Sequence, residues 1–292
     1  MPSVALATCA ALPSGDEDGD ALIAELADAG LDAEWQVWDA DGVDWSHDLV
    51  VVRSTWDYTL AREDFLAWTR QVARLANPAP VIAWNSDKIY LRDLAEAAIP
   101  VVETSFAAPG DHIELPHAQE FVLKPSVGAG SKGAGRFAVT QHEQAREHAR
   151  HLHAAGRTVL LQPYLTGVDS VGESSLIYLE GQFSHAITKA AMLPAGAVNP
   201  LDAPSRAASD SLYLEERIRA RIATPDELAI GELVVTELTR RFGGPLLYAR
   251  VDLLPTATGP VIVEVELAEP SLFLQFADGA AARFAAAIAG RT

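Results

Sequence analysis

The sequence predicts an α/β protein, with an open and mainly parallel sheet in its first third and antiparallel hairpins further on. Three observations lead there. Apolar strand-like runs at Val4–Ala10, Ala33–Trp38 and Asp48–Ser54 alternate with helical periodicity, giving the β, α, β, β, α rhythm of an open sheet. The 292 residues exceed a typical single domain, so two or three lobes around a large core are expected. Later strand-like segments come in pairs joined by turn residues rather than by helices.

Composition narrows the classes of function. Hydrophobic residues make up 49% and charged residues 21%, which is ordinary globular usage. A formal charge of -18 argues against an extended nucleic-acid or anionic-membrane surface, because both need clustered lysine and arginine. The lone Cys9 rules out an internal disulfide framework and a multi-thiolate zinc site. No basic leader opens the chain and no run of eighteen apolar residues interrupts it, so a soluble cytoplasmic protein is expected.

In the first lobe, a helix around Ala21–Ala29 should stop at Gly30, and an amphipathic helix should start at Arg62. Ligands of open sheets gather beyond the carboxyl ends of strands. Arg53, Ser54, Thr55, Trp56, Asp57 and Tyr58 follow the apolar run Leu49–Val52 and are candidates to meet a small substrate. A loop that only packs Trp56 and caps the next helix explains them equally well. Cys9 could line the same cleft, although a buried small hydrophobe is the plainer reading.

After NPAP and VIAW, which end this lobe, Ser86 is the expected N-cap of a helix that stops before Pro100 and carries Lys88 in its first turn. A lysine there opposes the helix dipole, which an anion nearby would explain. Phe121–Leu123 is strand-like and leads into Lys124, Pro125 and a segment rich in glycine around Ser131 and Lys132, with a second strand at Arg136–Thr140. Gly128, Gly130 and Gly133 formally satisfy GxGxxG, but a strand follows rather than a helix, which excludes a dinucleotide fold. What remains is a hairpin whose bare backbone can close over phosphates, with Lys124 beneath it.

Gln141–Gly156 reads as a helix carrying His142, His148, His151 and His153; His148 and His151 share a face, yet a solvated helix is the simpler account. A strand ending at Gln162, Pro163, Tyr164 and Leu165 leads to a polar loop with Asp169 and a hairpin turning at Glu180 and Gly181, with Lys189 late in it. Pro194–Asp210 is expected to be a mobile loop, and Arg217, Arg219 and Arg221 a charged helix face. Thr224, Pro225 and Glu227 form a capping box opening a helix to Phe242, ended by Gly243 and Gly244. Ser271–Ile288 closes the chain as a helix.

Between these helices, Arg250–Ser271 reads as two strands around a Pro/Thr/Gly turn. The second alternates valine with Glu264 and Glu266, which must share a face, and pairing across the turn can set Asp252 beside or diagonal to Glu264. Three crowded carboxylates repel unless a cation neutralises them, and hard oxygen ligands suit Mg²⁺. For this hairpin alone, a solvated amphipathic edge strand is the plainer reading.

The order Lys88, Lys124 before a glycine hairpin, the QPYL strand end, then Arg250, Asp252, Glu264 and Glu266 resembles the ATP-grasp superfamily, within it the glutathione-synthetase-like carboxylate-amine ligases. RSTWDY and VEVELAEPSLF are similar to segments of a cyclising member. The likeness covers roughly residues 85–290. It implies an ATP-grasp fold preceded by an open α/β domain: a first lobe over 1–84, a connection over 85–120, a lid over 121–190 and a core over 191–292.

By that resemblance Lys88 and Lys124 would hold the α- and β-phosphates, and the loop with Gly128, Gly130, Ser131 and Gly133 would close over the triphosphate. Gln162, Pro163, Tyr164 and Leu165 would cradle adenine and Asp169 the ribose. Asp252, Glu264 and Glu266 would ligate two Mg²⁺ ions, for which Mn²⁺ could substitute; many relatives have Asn at the last position, so Glu266 puts the second ion's affinity in question. Lys189 and Arg250 would steady the transferring phosphoryl group. Arg53, Ser54, Thr55, Asp57, Tyr58 and Ser271 would orient an amino-acid substrate, with Asp57 on its ammonium. The activity implied is ATP-dependent acyl-phosphate formation followed by attack of a nitrogen, within one molecule or between two. A nucleotide-binding protein without catalysis, or a small-molecule kinase, would share these residues.

Overall fold

The computed structural model describes residues 1–201 and 218–292. The chain begins as the expected parallel sheet. Strands β1 (Ser3–Thr8), β2 (Asp32–Val37), β3 (Leu49–Ser54) and β4 (Leu75–Ala76) lie in the order β2-β1-β3-β4, every pair parallel, with helices α1 (Gly19–Asp28) and α2 (Arg62–Gln71) as crossovers. The central strands β1 and β3 are buried on both faces, which is why they read as unbroken apolar runs. Val4, Leu6 and Val51 pack with Leu22 and Leu26. Ala5, Ala7, Val50 and Val52 pack with an aromatic group in which Phe65 lies 5.2 Å from Trp38 and 5.4 Å from Trp68. Helix α2 stops at Gln71, short of the apolar run, because Val72 is extended and Leu75–Ala76 pairs with β3.

Two short helices follow, α3 (Ala79–Asn85) and α4 (Tyr90–Glu96). Ser86 does not cap the second helix; it ends the first, donating its hydroxyl to the Ala83 carbonyl and accepting from Arg62 Nε. Pro80 near the start of α3 favours a helix there, and that helix uses Ser86 from the other side. Lys88 therefore sits in the link between helices, its backbone N–H donating to the Ser126 carbonyl.

The second sheet is antiparallel: β5 (Ser105–Ala107), β6 (Glu120–Pro125), β7 (Gly135–Ala138) and β8 (Val159–Pro163), in the order β5-β8-β6-β7. Helix α5 (His142–Ala154) covers it, burying Ala145, Ala149 and Leu152 against Phe121, Leu123 and Phe137. The glycine segment joins β6 to β7 as a hairpin.

A short helix α6 (Gly167–Val171), where a loop was expected, leads into the third sheet. Its strands are β9 (Glu173–Leu179), β10 (Gln182–Lys189), β11 (Arg219–Arg221), β12 (Tyr248–Leu254) and β13 (Val261–Glu266), antiparallel in the order β11-β10-β9-β12-β13. The β9–β10 turn falls at Glu180 and Gly181, both at positive φ as a tight hairpin requires. The segment 121–190 expected as one unit is thus divided, with β6 to β8 in one sheet and β9 and β10 in another.

Helix α7 (Pro225–Phe242) has the expected capping box: Thr224 Oγ1 accepts from the Glu227 N–H at 3.3 Å and Glu227 accepts from the Thr224 N–H at 2.7 Å. Arg219 and Arg221 lie on an edge strand, not a helix; their spacing of two matches the strand period, and Arg221 pairs with Glu227 at 3.0 Å. Arg217 and the expected mobile loop beyond residue 201 fall outside the described residues. The closing helix α8 (Ala280–Ala289) starts nine residues later than expected, because Phe273 and Gly279 take left-handed backbone. Ser271 is consequently in a loop. No helix among the described residues is long and apolar enough to cross a membrane.

Candidate active site

Strand register assembles the centre of the site. Arg250 pairs with Glu266 and Asp252 with Glu264 across β12 and β13, while Lys189 pairs with Glu173 across β10 and β9. Residues two apart on a strand share a face, so these side chains project together. Asp252 accepts from Arg250 at 2.9 and 3.0 Å and lies 3.5 Å from Lys189 Nζ, which is 2.6 Å from Glu173. The same guanidinium also donates to Glu266. Lys88 reaches in from the α3–α4 link, 3.0 Å from Glu264 and 2.6 Å from the Gly128 carbonyl.

Two buried asparagines fix the strand ends. The Asn85 amide donates to the Val265 carbonyl and accepts from the Leu267 N–H; Asn77 donates to Tyr248 and Leu267 carbonyls and accepts from the Leu247 N–H. Above the sheet, Gly128, Gly130 and Ser131 of the glycine hairpin line a cleft of about 1190 Å³ including its solvent-open part. Ser131 has φ 58° and Gly133 φ 69°, left-handed conformations that let the backbone fold over itself. His148 holds this hairpin down with a 2.8 Å bond to the Gly133 carbonyl, so it is an anchor of the loop.

Crowding of like charge sets the protonation states. Burial works against the charge of Asp252, but Arg250 and Lys189 outweigh it and hold the carboxyl well below its usual range. Lys189 is pushed up to about 12: burial disfavours its charge, and Asp252 and Glu173 more than restore it. Burial lifts Glu266 to about 7, because its share of Arg250 is offset by Glu264 and Asp252. Glu269 rises to about 8 through burial first and then the charge of Glu266. Burial lowers Lys124, which has no ion pair among the described residues.

Of the expected residues, Lys88, Lys124, Gly128, Gly130, Ser131, Lys189, Arg250, Asp252, Glu264, Glu266, Tyr58 and Ser271 line this one cleft. Gly133 is not in the lining, although its neighbours Lys132 and Ala134 are. Others do not reach it. Arg53 is fully buried, donating to the Pro270 carbonyl at 3.1 Å and facing Asp16 and Asp18 at 3.5 and 3.9 Å, so it braces the loop bearing Ser271 instead of meeting a ligand. Ser54 is bonded to Thr8, Thr55 is fully buried, and Asp57 accepts from Trp38 Nε1 at 2.9 Å. Cys9 is buried.

Gln162, Pro163, Tyr164, Leu165 and Asp169 lie outside the lining. There Arg136 pairs with Glu120 and Asp169, its guanidinium 3.4 Å from the centre of the Tyr164 ring, and Tyr164 donates to Asp169 at 2.5 Å. One face of that ring is therefore covered by arginine.

Sequence reasoning missed Glu173, Glu269 and Asn85 as parts of the site. A hairpin turning at Glu180 and Gly181 would by itself set Gly172 across from Lys189; a bulge between Phe183 and His185 shifts the register by one and brings Glu173 there instead. Glu269 stands past the end of β13, where strand periodicity no longer says which way a side chain points. Asp252, Glu264 and Glu266 offer only oxygen donors, a set that suits Mg²⁺, but each is engaged by lysine or arginine. Among the described residues no three His, Cys, Asp or Glu side chains close around an ion position.

A glycine hairpin on one antiparallel sheet, roofing a floor of paired acids and bases on another, defines an ATP-grasp ligase, an enzyme that uses ATP to form a carbon–nitrogen bond. A family model described as the N-terminal domain of D-cycloserine synthetase DcsG matches residues 4–77. The chain is 37% identical to the cycloserine biosynthesis protein DcsG of Streptomyces lavendulae, over 100% of this chain and 99% of that protein. A crystal structure of D-cycloserine synthetase DcsG matches with a TM-score of 0.86 at 36% identity, over 99% of each chain. D-alanine–D-alanine ligase from Bacillus anthracis, solved with ATP, shares the fold at a TM-score of 0.67 and 13% identity, over 100% of this chain and 97% of that one. The chain belongs to the DcsG family of ATP-grasp ligases.

Proposed function

We propose that this ligase phosphorylates the carboxylate of a small amino acid and closes the resulting acyl phosphate onto the substrate's own ureido nitrogen, as in the cyclisation of O-ureido-D-serine toward D-cycloserine. The specific substrate rests on whole-chain similarity to DcsG. The observation that carries the chemistry is the convergence of Lys88, Lys124, Lys189 and Arg250 with Asp252, Glu264 and Glu266 in one cleft beneath the glycine hairpin.

A carboxylate is a poor electrophile. Transfer of the γ-phosphoryl from ATP makes it an acyl phosphate; the nitrogen bonded to oxygen then attacks the acyl carbon, phosphate leaves, the nitrogen loses its proton, and water takes off its carbamoyl group as carbamic acid to give the free ring. Such transfer asks the protein for positioning and charge stabilisation more than for covalent help. Lys88 and Lys124 are assigned to the phosphates and the Gly128–Gly133 backbone to covering them. Lys189 and Arg250 face the carboxylate that changes, where a fixed positive charge favours the oxyanion. Asp252, Glu264 and Glu266 would hold two Mg²⁺ ions by exchanging their present partners, and the bound ions would neutralise phosphate charge. The pocket takes a small molecule, and Tyr58 and Ser271 are assigned to it. Adenine is assigned to the Gln162–Leu165 strand end and the ribose to Asp169, which would require Arg136 to shift from Tyr164.

Replacing Glu264 with Gln should abolish ATP-dependent formation of a cyclised product, followed by ADP release and mass spectrometry. Unchanged turnover at saturating Mg²⁺ sinks the assignment.

A further inference from the structure

Each acid of the cleft floor has a basic partner: Glu173 has Lys189, Asp252 and Glu266 share Arg250, and Glu264 has Lys88. Glu269 differs. It lines the same cleft at 8% exposure, and among the described residues its carboxylate has neither hydrogen bond nor ion pair. A carboxylate that faces the cleft at this low exposure, with no protein donor bonded to it, is open to a ligand that brings donors of its own.

The backbone around Glu269 is not free to turn the side chain elsewhere. Its carbonyl accepts from Trp56 Nε1 at 3.0 Å, and the next carbonyl, of Pro270, accepts from the buried Arg53. Arg53 stands at the end of β3 and Trp56 just after it, so the first lobe fixes this acid at its seam with the third sheet. Asp57, the acid that sequence position suggested for a substrate ammonium, is already occupied by Trp38 and lies outside the cleft.

We propose that Glu269 seats the α-ammonium group of the amino-acid substrate. An ammonium brings three donors and one positive charge, which satisfies the unpartnered carboxylate; Trp56 and Tyr58 on the same wall add aromatic surface that a cation tolerates. The carboxylate to be activated then points toward Lys189 and Arg250. This assignment rests on the reading of the substrate as an amino acid.

The test compares the ureido amino acid with its desamino analogue on the wild type, Glu269→Gln and Glu269→Asp, measuring ADP release with ATP and Mg²⁺ varied separately. The wild type should prefer the amino compound, and Glu269→Gln should raise KM for it by roughly 30-fold or more, the scale of losing one partner of a buried charge pair. KM for ATP should stay put, the variant should treat the two compounds alike, and Glu269→Asp should keep part of the preference. Calorimetric ATP binding establishes that each variant is folded. Retained preference in Glu269→Gln overturns the proposal, as does a raised Mg²⁺ requirement in its place, which would make Glu269 an ion ligand. A wild type that releases no ADP with either compound fails the amino-acid reading itself, a different result from the other two.

Discussion

Lys124 and Lys88 both face the acids of the floor, but they stand in different electrostatic positions. Lys88 is spoken for by Glu264 and the Gly128 carbonyl, and Glu264 with Glu266 and Glu269 raises its pKa despite burial. Lys124 has no such partner among the described residues, and burial lowers it. Methionine keeps most of the volume and removes the charge, so the two substitutions should separate. Lys124→Met should weaken ATP binding by about 10- to 100-fold with little change in melting temperature, since no ion pair is lost. Lys88→Met should weaken ATP binding and also melt earlier, because it strands Glu264. Calorimetric titration with a non-hydrolysable ATP analogue, alongside thermal melts, reads both. Equal melting losses in the two variants would contradict the contrast.

The glycine hairpin between β6 and β7 is the element on which phosphate closure depends. At Gly133 the backbone is left-handed, and a Cβ there would stand 2.9 Å from Leu201 and 3.2 Å from Pro125. Gly133→Ala should therefore distort the roof and raise KM for ATP severalfold, whereas Gly130→Ala, with open space around its Cβ, meets only the left-handed strain, about 1 kcal/mol. Initial rates at varied ATP check the ranking. Elements like this one were legible because strand period and turn chemistry agree: Asp252 does pair with Glu264, and Thr224 does cap its helix. Sequence patterns failed where a longer-range partner chose the structure. Ser86 closes one helix instead of opening the next, the arginines at 219 and 221 join a sheet edge, and Arg53 turns inward to Pro270. In each case the residue types are correct for both outcomes, and only distant contacts decide between them. Glu269 was unreadable for a related reason, since loop residues carry no periodicity.

Across the whole molecule the acids make stability depend on pH with a definite sign. Glu266 at about 7, Glu269 at about 8 and Asp18 at about 6 bind protons more tightly folded than unfolded, where their ordinary values are 4.5, 4.5 and 3.8. Their contribution is complete below those ordinary values and declines as pH rises through the folded ones. Asp252 acts oppositely, but its window lies below 3.8. The ligand-free protein should thus melt at lower temperature at pH 8.5 than at pH 6, with Mg²⁺ and nucleotide narrowing the gap. Scanning calorimetry at the two values decides it; a higher melting point at pH 8.5 refutes the reading.

Asn77 and Asn85 belong to the chain's first eighty-five residues, yet their amides complete the backbone of β12, of β13 and of the segment just beyond it. The first lobe is accordingly no interchangeable specificity cassette. A chimaera that grafts another ligase's front end onto this catalytic half would inherit frayed strand ends exactly beneath the reacting groups, unless both asparagines travel with the graft.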